Sequence, residues 1–361
     1  MPPAPSEAFA RLRAELDRTA FRARNGLKHF AGVGSARVEP TLRDEVWARG
    51  KVRLFRYRPS GVESSGQAVL LVMSLVTRPS VFDLLPGDSL VARMLEAGHD
   101  VFLLDWGRPD AVESENTLET YCDEYLPRAI NEVARVASAQ KVTLFGYCLG
   151  GLMCLLTAAG HPELPLRGMV VLAVPIDFGE CGPLGRMVRN ERFDLDTLLD
   201  ETGNVPASTM LQAFRALEPT GDVTTYLNLW NSLSDPKRLA AHQALVGWSG
   251  DHIPFPGAAF RQIVELFVRD DALLHGRLQL GGRLVRTQDI ELPVLSVVGE
   301  RDNLVPTSAT DPIDKALTNA SLDHLRFPAG HAGLMLGRRA QRDFIPAILS
   351  WLADLTTQEP A

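Results

Sequence analysis

The sequence predicts an α/β fold in which a doubly wound, mostly parallel sheet carries a helical cap insertion. Three observations support this prediction: short apolar runs alternate with helical segments, a glycine-flanked strand-turn-helix motif lies at residues 142–156, and the alternation stops over residues 176–290 before it resumes. Successive parallel strands need a crossover, usually a helix, so this alternation is typical of doubly wound sheets. With 361 residues, 45% of them hydrophobic, the chain can bury the large core that such a sheet requires.

Six apolar runs of strand length define the predicted sheet. Most of them lack the polar alternation of a half-exposed strand, which indicates strands that are covered on both faces. Predicted helices cover Ser89–Ala97 and Leu118–Val136. The predicted strands are Ala68–Met73, Asp100–Asp105, Val142–Phe145, Met169–Val174, Leu292–Gly299 and Leu322–Phe327.

A cysteine occupies the position that a serine hydrolase gives to its nucleophile. The hexapeptide GYCLGG, residues 146–151, follows the strand Val142–Phe145 and precedes an apolar helical run. This is the context of a nucleophile elbow, in which Gly146 and Gly150 let the strand and the helix approach closely. The motif predicts an α/β-hydrolase fold with Cys148 as nucleophile. On the hexapeptide alone, a glycine-rich turn with a buried, inert cysteine remains the alternative.

The acid and the base of a triad follow Cys148 in the order that α/β-hydrolases use. Asp302 comes directly after the predicted strand Leu292–Gly299, at the carboxyl end where open α/β sheets place functional groups. His331 lies in a Pro/Gly loop beyond the last predicted strand. Asp311 and Asp314 are rival acids, but they lie further from the strand end and are typical of helix starts. His324 lies within a strand, whereas His29, His161 and His242 lie in polar surroundings.

The predicted chemistry is nucleophilic catalysis by a thiolate. A neighbouring histidine and a helix amino terminus both lower the pKa of a cysteine, and Cys148 is predicted to have both. Asp302 would orient His331 and stabilise its imidazolium. The backbone N–H groups of Val76 and Leu149 are the candidate oxyanion hole.

The region at residues 176–290 is the predicted cap over the active site. It is mostly helical and carries aromatic residues that could form an apolar pocket under the cap; helices that simply pack against the sheet are the alternative. The core is then 41–175 with 291–361, and residues 1–40 form a basic amphipathic helical segment. The aromatic residues are Phe193, Phe214, Tyr226, Trp230, Trp248, Phe255, Phe260 and Phe267.

Charge and cysteine usage narrow the function classes. The net charge is −7 with no basic block or nucleic-acid motif, so no nucleic-acid partner is expected. The four cysteines show neither a metal-binding spacing nor a C-x-x-C pair, and no metal or cofactor is expected. The amino terminus lacks the features of a signal peptide and no run is long enough to span a membrane, so the expected location is cytoplasmic.

Several further motifs make the chain resemble the catalytic subunit of polyhydroxyalkanoate synthases of the short, two-subunit class III type. The resemblance covers about residue 40 to the end, and its motifs are specific in combination. Asn303 departs from the family, which commonly has histidine there, and Ser80 stands where the family often has tyrosine. The residues that carry the resemblance are 75–79 (LVTRP), 83–89 (DLLPGDS), 105–107 (DWG), 125–127 (YLP), the Cys148 elbow, 253–257 (IPFPG), Asp302 and Gly330-His331.

The resemblance implies an acyltransferase that polymerises 3-hydroxyacyl-coenzyme A through an acyl-cysteine. It also implies a growing polyester as a bound partner, a homodimer, a second synthase subunit and a location at polymer granules. An acyl-coenzyme A thioesterase, a non-polymerising acyltransferase and a non-catalytic granule-associated partner remain alternatives. The residues that bind coenzyme A are unknown, with Arg186, Arg189 and Arg192 as candidates for its phosphates.

Overall fold

The computed structural model describes residues 38–59, 61, 66–217 and 235–357. At its centre lies an eight-stranded sheet. The six predicted strands are all present, each shifted by at most a few residues. The eight strands are β1 (Arg43–Arg49), β2 (Val52–Tyr57), β3 (Ala68–Val72), β4 (Asp100–Asp105), β5 (Val142–Tyr147), β6 (Leu166–Leu172), β7 (Pro293–Gly299) and β8 (Ser321–Phe327).

The strands lie side by side in the order β1-β2-β4-β3-β5-β6-β7-β8. All pairs from β4 to β8 are parallel, and β2 is antiparallel to both of its neighbours. The chain order reverses around β3, which is the mark of a doubly wound sheet. The predicted α/β-hydrolase fold is therefore confirmed.

The two amino-terminal strands, β1 and β2, are absent from the sequence-based prediction. Their sequences, RDEVWAR and VRLFRY, are rich in charge and lack an apolar run. Such strands form because β2 pairs with the buried β4 and shields one edge of the sheet. Tertiary pairing thus overrides a weak local signal.

Helices cover both faces of the sheet. Alternate side chains of β3 point to opposite faces: Leu70 packs into the core beneath one set of helices, and Leu71 into the core beneath the other. The first set contains α2 (Leu126–Ala137) and α3 (Leu149–Gly160). The second contains α1 (Leu90–Glu96) and α10 (Ile345–Thr357). The helix predicted from Leu118 is present from that residue and contains a π-helical turn, Thr120–Tyr125, which leads into α2.

Between β6 and β7, the described residues form four further helices. Two residues of this stretch, Asn204–Val205, pair with Phe255–Pro256 in a short antiparallel ladder. Its helices are α4 (Gly182–Arg189), α5 (Ala207–Leu217), α6 (Pro236–Gly250) and α7 (Gly257–Ile263), which continues into the π-helical turn Val264–Arg269. Tyr226, Trp230 and the predicted helical segment before residue 38 lie outside the described residues.

Shorter elements complete the described chain. The 3-10 turns are Pro79–Phe82, Glu113–Glu115, Phe178–Glu180, Leu195–Leu198, Thr287–Asp289 and Ala332–Leu334. Two further ladders pair Asp83–Leu85 with Asp88–Ser89 and Gln279–Leu280 with Arg283–Leu284. After β7 come α8 (Thr307–Thr310) and α9 (Ile313–Ala316), and a π-helical turn, Ala340–Phe344, precedes α10.

Candidate active site

Cys148 forms a sharp elbow between β5 and α3. Its backbone has φ 55° and ψ −127°, a conformation that is costly for a residue with a side chain and is found where function requires it. Its N–H donates to the carbonyl of Leu172 at 2.9 Å. The side chain is partly buried, so the thiol is held at the amino terminus of α3 and faces the space above the sheet.

Three glycines make this elbow possible. A Cβ on Gly150 would lie against the carbonyl of Val72 and 2.8 Å from the carbonyl carbon of Met73. A Cβ on Gly146 would lie 2.7 Å from the nitrogen of Gly151. Distances this short are closer than van der Waals contact allows, so β3, β5 and α3 can approach only without side chains here. The roles expected for Gly146 and Gly150 match this packing, and Gly151 belongs with them.

Asp302 is fixed by its own loop. One carboxylate oxygen, Oδ1, accepts the backbone N–H groups of Leu304 and Val305, each at 2.9 Å. The other, Oδ2, accepts the Nδ1–H of His331 at 2.6 Å. The Asp302 side chain is fully buried. Both carboxylate oxygens are therefore held by hydrogen bonds, one to the loop backbone and one to the imidazole.

His331 joins the acid to the thiol. Its Nδ1 is hydrogen-bonded to Asp302, its ring lines the same small cavity as Cys148, and its side chain is 13% exposed. Burial lowers the pKa of His331, but the charge of Asp302 and the hydrogen bonds to Asp302 and Cys148 outweigh it and raise the pKa to about 10. The structure thus brings together Cys148, His331 and Asp302, in an arrangement suited to nucleophilic catalysis.

The rival residues lie elsewhere. Asp311 pairs with Arg326 at 2.6 Å, and Asp314 with the Nε2 of His324 at 3.0 Å. His161 lies between Asp123 and Glu163 on the surface. Cys122 and Cys154 are fully buried, and burial raises the pKa of both thiols.

Tyr147, which the sequence reasoning did not single out, holds the histidine loop. Its hydroxyl donates to the carbonyl of His331 at 3.1 Å, and its ring stacks on the imidazole with centroids 4.8 Å apart. The residue is 1% exposed. The only available signal was its place next to Cys148, because 184 positions separate it from His331 in the sequence.

The predicted oxyanion-hole residues lie beside Cys148. Val76 and Leu149 line the same cavity as the thiol, and their N–H groups have no acceptor among the described residues. The loop that carries Val76 is held at two carbonyls: Trp106 Nε1–H donates to Met73 at 2.9 Å, and Ile253 N–H donates to Val76 at 3.1 Å. The DWG and IPFPG motifs therefore meet at this loop.

Two cavities meet at Cys148. The larger measures about 510 Å³, and its lining is almost entirely apolar. Its wall includes three residues of the predicted aromatic set, Phe214, Phe255 and Phe260. Cys181 also lines it, and burial raises the pKa of the Cys181 thiol to about 12. This cavity has the size and the lining of a site for an apolar ligand.

The smaller cavity measures about 170 Å³ and is richer in polar groups. It contains His331 together with Ser74, Thr77, Ser249 and His252, whereas His331 does not line the larger cavity. Trp248 also lines it, and its indole N–H donates to the carbonyl of Arg78 at 3.0 Å. Both cavities share Val76, Cys148, Phe214 and Leu304, so a group bonded to the thiol can reach either one.

The candidate phosphate ligands are less suited to that role. Arg189 donates to the carbonyl of Val268 at 3.0 Å and pairs with Asp271 at 3.2 Å, so its charge is already matched. Arg192 is exposed, and the side chain of Arg186 lies outside the described part. Ser80 and Asn303, where the sequence departs from the family pattern, line neither cavity beside Cys148.

The chain is similar in sequence to one protein family and to several characterised relatives. A model of the α/β hydrolase fold family matches residues 85–337. The chain is 33% identical over 333 residues to the poly(3-hydroxyalkanoate) polymerase subunit PhaC of Allochromatium vinosum, an alignment covering 91% of this chain and 92% of that protein. It is 31% identical over 339 residues to the subunit of the same name from Synechocystis sp., covering 91% and 89%.

Among solved structures, a candidate lipase of Sulfolobus solfataricus superposes with a TM-score of 0.54 at 14% identity, covering 86% of this chain and 93% of that one. At such low identity the likeness concerns the fold alone. Within the described residues, no helix has the length and apolar character needed to cross a membrane.

Proposed function

The chain belongs to the poly(3-hydroxyalkanoate) polymerase family of the α/β hydrolase fold, and on that premise we propose that it transfers 3-hydroxyacyl groups from coenzyme A onto a growing polyester. The observation that carries the proposal is the contact between Cys148 and His331 at the junction of the two cavities. Sulfur suits this chemistry because attack on a thioester produces another thioester. The acyl group then stays activated for transfer.

The first step loads the acyl group on Cys148. The thiolate attacks the thioester carbonyl, and the tetrahedral oxyanion accepts hydrogen bonds from the N–H groups of Val76 and Leu149. Such donors are worth about 3 kcal/mol each in related sites. As the intermediate collapses, the carbon–sulfur bond to coenzyme A breaks, and the departing thiolate takes a proton from the His331 imidazolium.

The second step forms the ester. Once Cys148 carries an acyl group, its sulfur no longer contributes to the raised pKa of His331, and the imidazole can act as a base. His331 takes the proton of a 3-hydroxyl group, the oxygen attacks the acyl-cysteine, and a carbon–oxygen bond replaces the carbon–sulfur bond. The Cys148 thiolate is released next to an imidazolium, ready for the next unit.

The region at residues 176–290 acts, in this proposal, as a cap that keeps water from the acyl-cysteine. Its helices contribute Phe214 and Phe260 to the apolar cavity beside the thiol. Water in this space would hydrolyse the intermediate and turn a polymerase into a thioesterase. The apolar lining therefore favours acyl transfer over the hydrolytic alternative.

The assembly belongs to the same proposal. The relatives are named as polymerase subunits, which supports a second synthase subunit, and we extend the proposal to a homodimer at the surface of polymer granules in the cytoplasm. All four cysteines are free thiols, as is usual in a reducing compartment. Sedimentation of the chain with and without a co-expressed partner subunit tests the stoichiometry.

Incubation with 3-hydroxybutyryl-coenzyme A tests the function. Released thiol, free 3-hydroxybutyrate and polymer are measured together, with Cys148→Ala as the control. Polymer that depends on Cys148 supports the proposal. Thiol release matched by free 3-hydroxybutyrate, both with the chain alone and with its partner subunit, supports the thioesterase instead, and no release contradicts the coenzyme A assignment.

A further inference from the structure

The two cavities divide the reacting groups between them. Whatever leaves Cys148 as a thiol or attacks it as an alcohol must exchange a proton with His331, and of the two cavities His331 lines the smaller one, which is richer in polar groups. By microscopic reversibility the departing sulfur and the incoming hydroxyl use the same place. The incoming 3-hydroxyacyl unit would therefore use the smaller cavity, and the loaded acyl chain would occupy the larger, apolar one.

His252 is an unexplained polar group in that cavity wall. It is 7% exposed, and its Nδ1 has no hydrogen-bond partner among the described residues. Its ring packs on Phe214 with centroids 5.0 Å apart, and because Nδ1 is shielded from the cavity, Nε2 is the ring nitrogen that a ligand there could reach. Buried polar groups are nearly always paired in folded proteins, so an unpaired imidazole at a substrate cavity points to a bound ligand.

The protonation state of His252 suits a neutral hydrogen-bonding role. Burial lowers its pKa; the charge of Asp251 raises it by a smaller amount, and that of Arg215 lowers it further. Asp251 is itself paired with Arg78 at 3.1 Å. At neutral pH the ring therefore carries one N–H donor and one acceptor, unlike the His331 imidazolium beside it.

We propose that His252 donates a hydrogen bond to the carbonyl oxygen of the incoming 3-hydroxyacyl unit while His331 takes the proton of its hydroxyl. This inference rests on the proposed function. A 3-hydroxyacyl unit carries its hydroxyl and its carbonyl two carbons apart, so two histidines in one small cavity can hold it at both ends. Water and simple alcohols offer only the hydroxyl and lose the second contact.

A competition between two acyl acceptors tests the proposal. The enzyme is loaded with 3-hydroxybutyryl-coenzyme A in the presence of methyl 3-hydroxybutyrate or 2-pentanol, and the esters formed are quantified. Both acceptors are secondary alcohols, but only the first has the carbonyl. We expect the wild-type enzyme to prefer the hydroxy ester. In His252→Ala the ratio of the two products should fall about tenfold, which corresponds to the loss of one hydrogen bond.

The controls separate this role from a packing role. His252→Gln retains a donor and should recover part of the preference, and His324→Ala, a surface histidine, should keep the wild-type ratio. A His252→Ala enzyme that uses both acceptors more slowly but with an unchanged ratio would overturn the inference. Thiol release that depends on Cys148 must be present throughout, because its absence in the wild type contradicts the proposed function and not the role of His252.

Discussion

Tyr147 and His331, separated by 184 positions in the sequence, are joined by a hydrogen bond and a ring stack. The phenolic hydroxyl donates to the His331 carbonyl at 3.1 Å, and the ring centroids lie 4.8 Å apart. The residue that precedes Cys148 thus sets the position of the imidazole that we propose as the base. Since β5 fixes Tyr147 and Cys148 together, one strand end aligns both partners of the proton transfer.

Tyr147→Phe removes the hydrogen bond and keeps the stack. We expect kcat to fall about fivefold with KM nearly unchanged, because the histidine loop loses one contact worth about 1 kcal/mol and its imidazole becomes less well placed. Steady-state thiol release from 3-hydroxybutyryl-coenzyme A measures both constants. A KM effect without a kcat effect would contradict a role in positioning the base.

The meeting of Cys148, Asp302 and His331 could be predicted from sequence because each of these residues has a local signal. Cys148 lies between glycines after a strand, Asp302 follows a strand end, and His331 lies in a loop after the last strand. Tyr147 and His252 have no such signal, since their roles depend on contacts made only after folding. The same holds for β1 and β2, whose charged sequences become strands through pairing at the sheet edge.

Asp302→Asn should change how His331 titrates. The aspartate is a main cause of the raised pKa of His331, so the imidazolium of the wild type should persist to about pH 10, whereas that of the variant should titrate nearer its ordinary value. Nuclear magnetic resonance of the imidazole protons follows this. We expect kcat to fall about 10³-fold or more, because the base loses its orientation.

The same substitution predicts a pH-dependent stability difference. A group whose pKa is raised by folding contributes stability that is complete below its unfolded-state pKa and is lost as the pH rises through the folded-state value. Thermal unfolding should therefore separate wild type from Asp302→Asn most below about pH 6.5, and the part of the difference due to the ion pair should vanish above about pH 10. A difference that grows with pH would contradict the imidazolium–carboxylate pair.

Gly150→Ala should be severely destabilising. The new methyl would meet the carbonyl of Val72 and the backbone of Met73, and neither can move without distorting β3, so we expect a loss of about 3 kcal/mol or more. Gly247→Ala is the matched control: a Cβ there meets nothing within 4 Å inside α6. Alanine in an open helix position should stabilise by about 0.5–1 kcal/mol. Denaturant unfolding compares the two, and equal effects would contradict close packing at the elbow.

Ala213→Phe should shorten the acyl chain that the enzyme accepts. Ala213 lies on α5 and lines the apolar cavity of about 510 Å³ beside Cys148, so a phenyl ring would occupy space that the proposal assigns to the acyl chain. Burial of each methylene is worth about 0.8 kcal/mol, or roughly fourfold in kcat/KM. The ratio of kcat/KM for 3-hydroxyoctanoyl- to 3-hydroxybutyryl-coenzyme A should therefore fall by well over tenfold, mainly through the longer substrate. Ala213→Ser, which barely changes the volume, should keep the wild-type ratio. If Ala213→Phe lowers both kcat/KM values in proportion, the acyl chain does not occupy this cavity. That outcome would contradict the assignment of the two cavities.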